Sequence, residues 1–312
     1  MKQSSLFRFS SKHSLKRETK VVDLFCGIGG FSCGAKRAGH KIHFAVDSDP
    51  FLIQAHVRNH TECEHWCCLL PRNDLPLPKE GNWHLHGSPP CTKLSIMQPH
   101  QYVHERKQAV DLVTWFFDLV KSSKPTSWSF EQVNHEAIRD QLEALKIRHP
   151  MVFDWILVDV SNFEVAQNRK RIIAGSPFLI ANLRSFKSKK RKLCVRDVIP
   201  EPPMPYIRNN LYSRPDEKTK EMQPVSLNDQ IRSVDKPSYT ILATGHKRWA
   251  DKEGNVLRHL TGAEGALIQS FPYDYLLPYS PTDALVGVGN AMPPRLSEIL
   301  MDPTSSDTAQ PF

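Results

Sequence analysis

Val21-Val22-Asp23-Leu24-Phe25-Cys26-Gly27-Ile28-Gly29-Gly30 decides the fold. Residues 21–25 are a short apolar run, the pattern of a strand buried on both faces of a parallel sheet. The glycines that follow make a tight turn, and residues 31–38 read as a helix with Gly39 past its end. Residues 42–46 predict a second strand that stops at Asp47-Ser48-Asp49, and Pro50 suits the first turn of a helix running to about Asn59. Strand, helix, strand, helix in this order implies right-handed crossovers and an α/β architecture with a mostly parallel sheet.

Working outward, residues 83–86 predict a strand that runs into Gly87-Ser88-Pro89-Pro90-Cys91. Residues 110–121 have the apolar spacing of a helix. Residues 127–130 predict a strand that delivers Glu131 at its carboxyl end, with further strands at 153–160 and 171–174. After Pro177 the texture changes. Residues 187–192 are densely basic, 200–205 are proline-rich, and little periodicity survives to about residue 258, as in a smaller loop-rich domain. Leu260-Thr261-Gly262-Ala263-Glu264 opens a helix that ends before Phe271-Pro272, and residues 293–301 predict a last helix.

Four constellations carry chemistry. Gly27, Gly29 and Gly30 let the backbone approach a ligand at a helix start, and an acid ending the second strand, Asp47, suits a ribose hydroxyl. Cys91 follows a stiff Pro-Pro turn at a strand's carboxyl end, where open sheets build sites and where a thiol can be lowered toward the thiolate. Glu131, if shielded from water, can serve as a proton donor. In Gln167-Asn168-Arg169-Lys170-Arg171, the two-residue repeat of a strand points both arginines one way, toward the cleft. A nucleotide-like cofactor, a thiolate and an acid suit covalent catalysis on a pyrimidine ring.

The chain has 312 residues and a formal net charge of +8, enough for one large domain with a small one, and a balance that suits a polyanionic partner. Residues 1–19 hold Lys2, Arg8, Lys12, Lys16 and Arg17 among serines and are expected to form a disordered basic arm. No apolar run approaches the roughly 20 residues of a membrane span, and the first residues lack the apolar stretch of a secretory signal. Seven cysteines in such a chain read as free thiols. His56, His60, Cys63, His65, Cys67 and Cys68 crowd together without the spacing of a zinc site, so no metal is expected.

Taken in order, these segments resemble the cytosine-C5 DNA methyltransferase family. The opening stretch is close to its strand-and-glycine signature, Pro90-Cys91 matches its Pro-Cys, and Glu131-Gln132-Val133 stands where it has Glu-Asn-Val. Gln167, Arg169 and Arg171 match its Gln-x-Arg-x-Arg element. Leu260-Thr261, Glu264, Gln269 and Phe271-Pro272, then Gly289-Asn290-Ala291-Met292-Pro293-Pro294, match its late motifs. The chain departs from the pattern at Thr92 for Gln, at Gln132 for Asn and at Ala166 for Pro. The acid expected to meet the adenine amino group has no aligned counterpart between residues 68 and 74, where Asp74 comes late.

The resemblance implies a Rossmann-like mixed sheet with helices on both faces and a small irregular target-recognition domain. The expected division is a catalytic domain over 20–178, a recognition domain over 179–280, a return at 281–301 and a disordered tail from 302. It implies S-adenosylmethionine as cofactor, held by Phe25, Gly27, Ile28, Gly29, Gly30, Asp47, Ser48, Pro90, Asn290 and Met292. It makes Cys91 the nucleophile and Glu131 the acid, with Arg169 orienting Glu131 and Arg171 holding the cytosine carbonyl oxygen. Residues 92–107 would close over a flipped base. Double-stranded DNA is the implied partner. A monomer is expected, intracellular in location: cytoplasmic in a bacterium, nuclear in a eukaryote or virus. A restriction-modification role fits. An RNA methyltransferase with the same residues, a catalytically weak DNA-binding regulator and, remotely, a nucleotide-binding oxidoreductase remain open alternatives.

Overall fold

In the computed structural model the described residues are 18–90, 103–148, 153–188, 191–209, 213–215, 222–245 and 247–302, without the side chains of 103–109, 213–215, 222 and 224. The arm 1–17, Cys91 with 92–102, Lys189 and Lys190, and the tail from 303 lie outside them.

Seven strands form the main sheet: β1 (Lys20–Leu24), β2 (Lys41–Asp47), β3 (Glu64–Cys67), β4 (Trp83–Gly87), β5 (Ser127–Val133), β6 (Asp154–Asp159) and β7 (Lys170–Gly175). Their order is β3-β2-β1-β4-β5-β7-β6. The pairs from β3 across to β5 are parallel, and β7 runs antiparallel to both β5 and β6. The order reverses between β1 and β4, so a crevice opens at their carboxyl ends.

Alternation along β1 places Val21 in one core and Val22 in another, on opposite faces of the sheet. Helices α1 (Gly30–Arg37) and α2 (Pro50–Asn59) follow the first two strands. Helices α3 (Val103–Ser123) and α4 (Glu136–Arg148) pack Phe116, Phe117, Ile138 and Leu142 against Val22, Phe44 and Leu85. Helix α5 (Pro177–Ser185) sets Leu179, Ile180 and Leu183 with Val21 and Ile42 in the opposite core.

Beyond α5 come the short α6 (Val195–Val198), β8 (Tyr206–Arg208), β9 (Ser213–Pro215), β10 (Met222–Pro224), α7 (Leu227–Gln230), β11 (Ile231–Ser233), β12 (Arg248–Ala250) and β13 (Val256–His259). They make a four-stranded sheet ordered β11-β8-β12-β13 and a two-stranded ribbon of β9 and β10. Helices α8 (Gly262–Ile268), α9 (Pro281–Asn290) and α10 (Pro294–Met301) close the fold. A capping box starts α8: Thr261 accepts from the Glu264 amide and Glu264 from the Thr261 amide.

Several elements differ from expectation. Helix α3 begins at residue 103 rather than 110, and β5 continues through Glu131 to Val133, so Glu131 lies within the strand. Strand β3 and helices α4, α5 and α9 were not foreseen. The apolar side chains of α5 pack with Val21 and Ile42 of the main sheet, and α8 joins a third core with Ile28, Leu52, Ile207 and Trp249.

Candidate active site

The crevice at the β1/β4 reversal is a pocket. Phe25, Gly27 and Gly30 after β1, Asp47 at the end of β2 and Asp49 beyond it, and Ser88, Pro89 and Pro90 after β4 line it. Glu131 on β5 and Asn290 and Met292 from the return segment complete its wall. Residues from both ends of the sequence meet because α1 lies directly against the return. A Cβ on Gly30 would stand 2.1 Å from the Met292 carbonyl oxygen, so only glycine admits that approach. Gly29, at φ 94°, is confined by the Tyr275 hydroxyl, 2.7 Å from where its Cβ would be. Gly27 has open space there instead, as a backbone facing a ligand requires.

The carboxylates are unevenly committed. Asp47 accepts from the Gly27 amide at 2.8 Å and the Asp49 amide at 2.9 Å, which shapes the turn and leaves lone pairs toward the pocket. Asp49 caps α2, accepting from the Phe51 and Leu52 amides. Asp23 is fully buried beneath the glycine turn and accepts from the Ser32 hydroxyl at 2.6 Å. Its other oxygen has no hydrogen-bond partner, and burial raises its pKa to about 7. Behind it, β4 carries His84 and His86, bonded to the hydroxyls of Ser127, Ser129 and Ser88. Burial pushes His86 down to about 3, so it is neutral.

Glu131 is 6% exposed and forms an ion pair with Arg171 Nε at 2.7 Å. Arg171 opposes Val133 in the β5–β7 ladder, two places along from the residue facing Glu131, so both side chains share one face. Arg169 corrects the expected division of roles. It precedes β7, and its guanidinium donates to the carbonyls of Ile241 at 2.9 Å, Gly289 at 2.8 Å and Ala291 at 3.3 Å. Gly289 and Ala291 end α9, where carbonyls lack helical partners and the helix dipole is negative. Strand alternation set both arginines facing one way, but it does not hold at Arg169, because the chain has not yet entered the strand there. Gln167 and Gln269 extend this anchor: Gln269 donates to the Val288 carbonyl at 2.7 Å, and Gln167 accepts from the Ile241 amide at 3.0 Å.

Of the residues singled out from the sequence, the pocket wall holds Phe25, Gly27, Gly30, Asp47, Pro90, Glu131, Asn290 and Met292. Ile28, Gly29 and Ser48 do not line it. Ile28 is fully buried and packs toward Gly287. Asp74 is also off the wall, paired with Arg72 at 2.7 Å. Cys91 lies outside the described residues, one step beyond Pro90. Sequence reasoning missed Asp23 and Asp49, although both adjoin motifs it used. Phe25 takes a left-handed backbone, φ 61°, at the point where the chain bends into the pocket.

A family model described as C-5 cytosine-specific DNA methylase matches residues 19–305. The chain belongs to that family. Among its relatives, Type II methyltransferase M.HgiDI of Herpetosiphon aurantiacus is 27% identical over 307 residues, covering 94% of this chain and 96% of that protein. Type II methyltransferase M.HpaII of Haemophilus parainfluenzae is 24% identical, covering 93% and 90%. Two solved structures share the fold at 18% identity. One is a putative DNA modification methyltransferase encoded within an E. coli prophage, with TM-score 0.64, covering 92% of this chain and 98% of that one. The other is a mutant of Spodoptera frugiperda DNMT2, with TM-score 0.58 and coverage of 90% and 99%. Membership in the C-5 cytosine methylases gives the reaction class, methyl transfer to carbon 5 of cytosine in DNA, for which the family generally uses S-adenosylmethionine.

Proposed function

We propose that the chain methylates C5 of a cytosine flipped out of duplex DNA, through a covalent adduct with Cys91, as a modification enzyme like its Type II relatives. The observation that carries this reading is the wall of one pocket. Glu131, paired with Arg171, stands there with Pro90, the residue before Cys91, and with the Gly27–Asp47 turn.

The donors present suit S-adenosylmethionine. Its sulfonium and ammonium are cationic, and the wall offers Asp47, Asp49 and the unpartnered oxygen of Asp23. Asp47 would hold the ribose, and Asn290 and Met292 would close the far side. When bound, the cofactor supplies an electrophilic methyl group.

Cytosine C5 is a poor nucleophile. The Cys91 thiolate adds to C6, and Glu131 in its protonated form donates to N3, so that electron density collects at C5. Arg171 holds the Glu131 carboxyl in place and offers its remaining donors to the cytosine carbonyl oxygen. After methyl transfer, loss of the C5 proton and expulsion of Cys91 restore the ring. A paired base cannot reach this wall, so the nucleotide must leave the stack, at a cost of a few kcal/mol.

The recognition unit is proposed to be the β8–β13 lobe, residues 206–259, with the basic segment 187–192 on its approach. In that segment Lys187 and Lys192 are exposed, and Arg191 is engaged with Asp197. Within the lobe Arg208 donates to the Gly254 carbonyl at 2.6 Å and so braces the sheet, whereas Arg248 and Asn209 are candidates for base contacts. Duplex DNA, tRNA and single-stranded RNA, incubated side by side with labelled cofactor, test the substrate. Label in duplex DNA is expected, and preferential label in RNA would overturn the reading.

A further inference from the structure

The β4–β5 ladder ends early. Its last pair is Gly87 with Phe130, and the Ser88 amide then turns to the Leu24 carbonyl at 3.2 Å. Pro89 and Pro90 have no amide hydrogen to extend the ladder. Among the described residues, Gln132 makes the direct link between the Pro-Pro turn and β5.

Gln132 follows Glu131 on β5, with 1% of its surface exposed. Its Nε2 donates to the Pro89 carbonyl at 3.0 Å, and its Oε1 accepts from the Val133 amide at 2.8 Å. The amide orientation is dictated by its partners, because a carbonyl only accepts and a backbone N–H only donates. The side chain replaces the missing rung. It fastens the Pro-Pro turn to the strand that carries Glu131, and Pro89, Pro90 and Glu131 all line the pocket.

We infer that Gln132 is a positioning residue, which fixes the chain entering Cys91 relative to Glu131. The inference rests on the reading of Cys91 as nucleophile. It also gives meaning to a departure from the family pattern. An asparagine here would be one methylene shorter, by about 1.5 Å.

The test uses Gln132→Glu, which keeps shape and length. Ionised, the new carboxylate cannot donate to the Pro89 carbonyl. Protonated, it can donate there and still accept from Val133. The full-length wild type and variant are mixed with S-adenosylmethionine and duplex DNA carrying 5-fluorocytosine, and the rate of covalent adduct formation is followed from about pH 5.5 to about pH 8. Among the described residues, Glu131 with Arg171, His86 with Ser88, and Asp23, which opposes His86 in the β1–β4 ladder, are titratable or charged groups near the turn. Both proteins contain them, so they cancel in the ratio of rates.

At the alkaline end the variant is expected to trap at least about tenfold more slowly, roughly one lost hydrogen bond to the turn. The deficit should shrink as pH falls, while cofactor affinity by calorimetry stays at the wild-type value. Equal trapping at alkaline pH, a deficit independent of pH, or a parallel loss of cofactor affinity would each overturn the inference. Gln132→Met removes both bonds without adding charge. It should show the deficit at every pH with unchanged cofactor affinity, and wild-type trapping by this variant would also refute the role. A wild type that does not trap at all would instead refute Cys91 as nucleophile.

Discussion

Arg169→Met should cost more stability than any exchange of an exposed arginine. The Arg169 side chain is 2% exposed and holds three carbonyls from two distant segments, Ile241 before β12 and the end of α9. Ala291 keeps a second partner in Gln269, at 3.3 Å, so the loss falls on the Ile241 and Gly289 carbonyls. Each short bond to a charged donor contributes about 1.5–3 kcal/mol, which makes the expected cost about 3–6 kcal/mol. That is a large share of the roughly 5–15 kcal/mol by which a domain is stable. Arg169→Lys retains the charge but offers a single ammonium in place of the fork, and should lose about half as much. Arg184→Met is the control. Arg184 pairs with Asp154 at the surface, side chain 50% exposed, and such pairs contribute about 0–1 kcal/mol. Urea unfolding followed by circular dichroism gives the three differences. A cost for Arg169→Met no larger than for Arg184→Met would refute the assignment of Arg169 as the anchor of α9.

Asp47→Ala should weaken cofactor binding by about 1.5–3 kcal/mol, the value of a hydrogen bond to a charged group, as calorimetry would measure; unchanged affinity would remove the ribose contact. Acid should destabilise the fold below about pH 6.5, where unfolded histidines take protons that the buried neutral His56, His84 and His86 refuse, His86 down to about 3. Each costs about 2 kcal/mol by pH 5, and Asp23, raised to about 7 and therefore stabilised by acid over the same range, offsets about one of them. A melting temperature that is flat or rising from about pH 7 to about pH 5 would contradict that balance. Replacing Lys187 and Lys192 by glutamine should weaken binding to all duplexes alike and flatten the salt dependence by about 0.9 per phosphate contact, whereas Arg191→Gln, which removes a residue paired twice with Asp197, should change it less.

What the sequence disclosed follows from range. The β1–α1–β2–α2 unit is written in contiguous apolar runs, glycines and a proline at a helix start, so short-range rules suffice. Helix α4 was not read, although its buried Ile138, Leu142 and Leu145 recur at helical spacing, because those three stand among polar and charged residues. Strand β3 carries Glu64-His65-Trp66-Cys67 at the sheet edge with one neighbour, where no apolar run is required. The strands β8 to β13 are three or four residues long, too short for a two-residue period to register. Of the site, Asp47 and the glycine turn could be found because they end or follow a strand, and Glu131 because it is an acid set in an apolar strand. The partners could not. Nothing near Arg169 signals that it reaches α9, 120 residues later, or that Arg171 is the arginine against Glu131. Gln132 looked like a simple departure from a family pattern until its link to Pro89 was seen.

Covalent capture tests the central claim most directly. Purified protein is incubated with S-adenosylmethionine and duplex DNA carrying 5-fluorocytosine at its target site, and the trapped adduct is digested and mapped by mass spectrometry. Fluorine at C5 cannot leave as a proton does, so the reaction should stop as a methylated adduct on Cys91, and Cys91→Ser should bind DNA without forming it. Methyl transfer without an adduct, or an adduct on another residue, would contradict the mechanism.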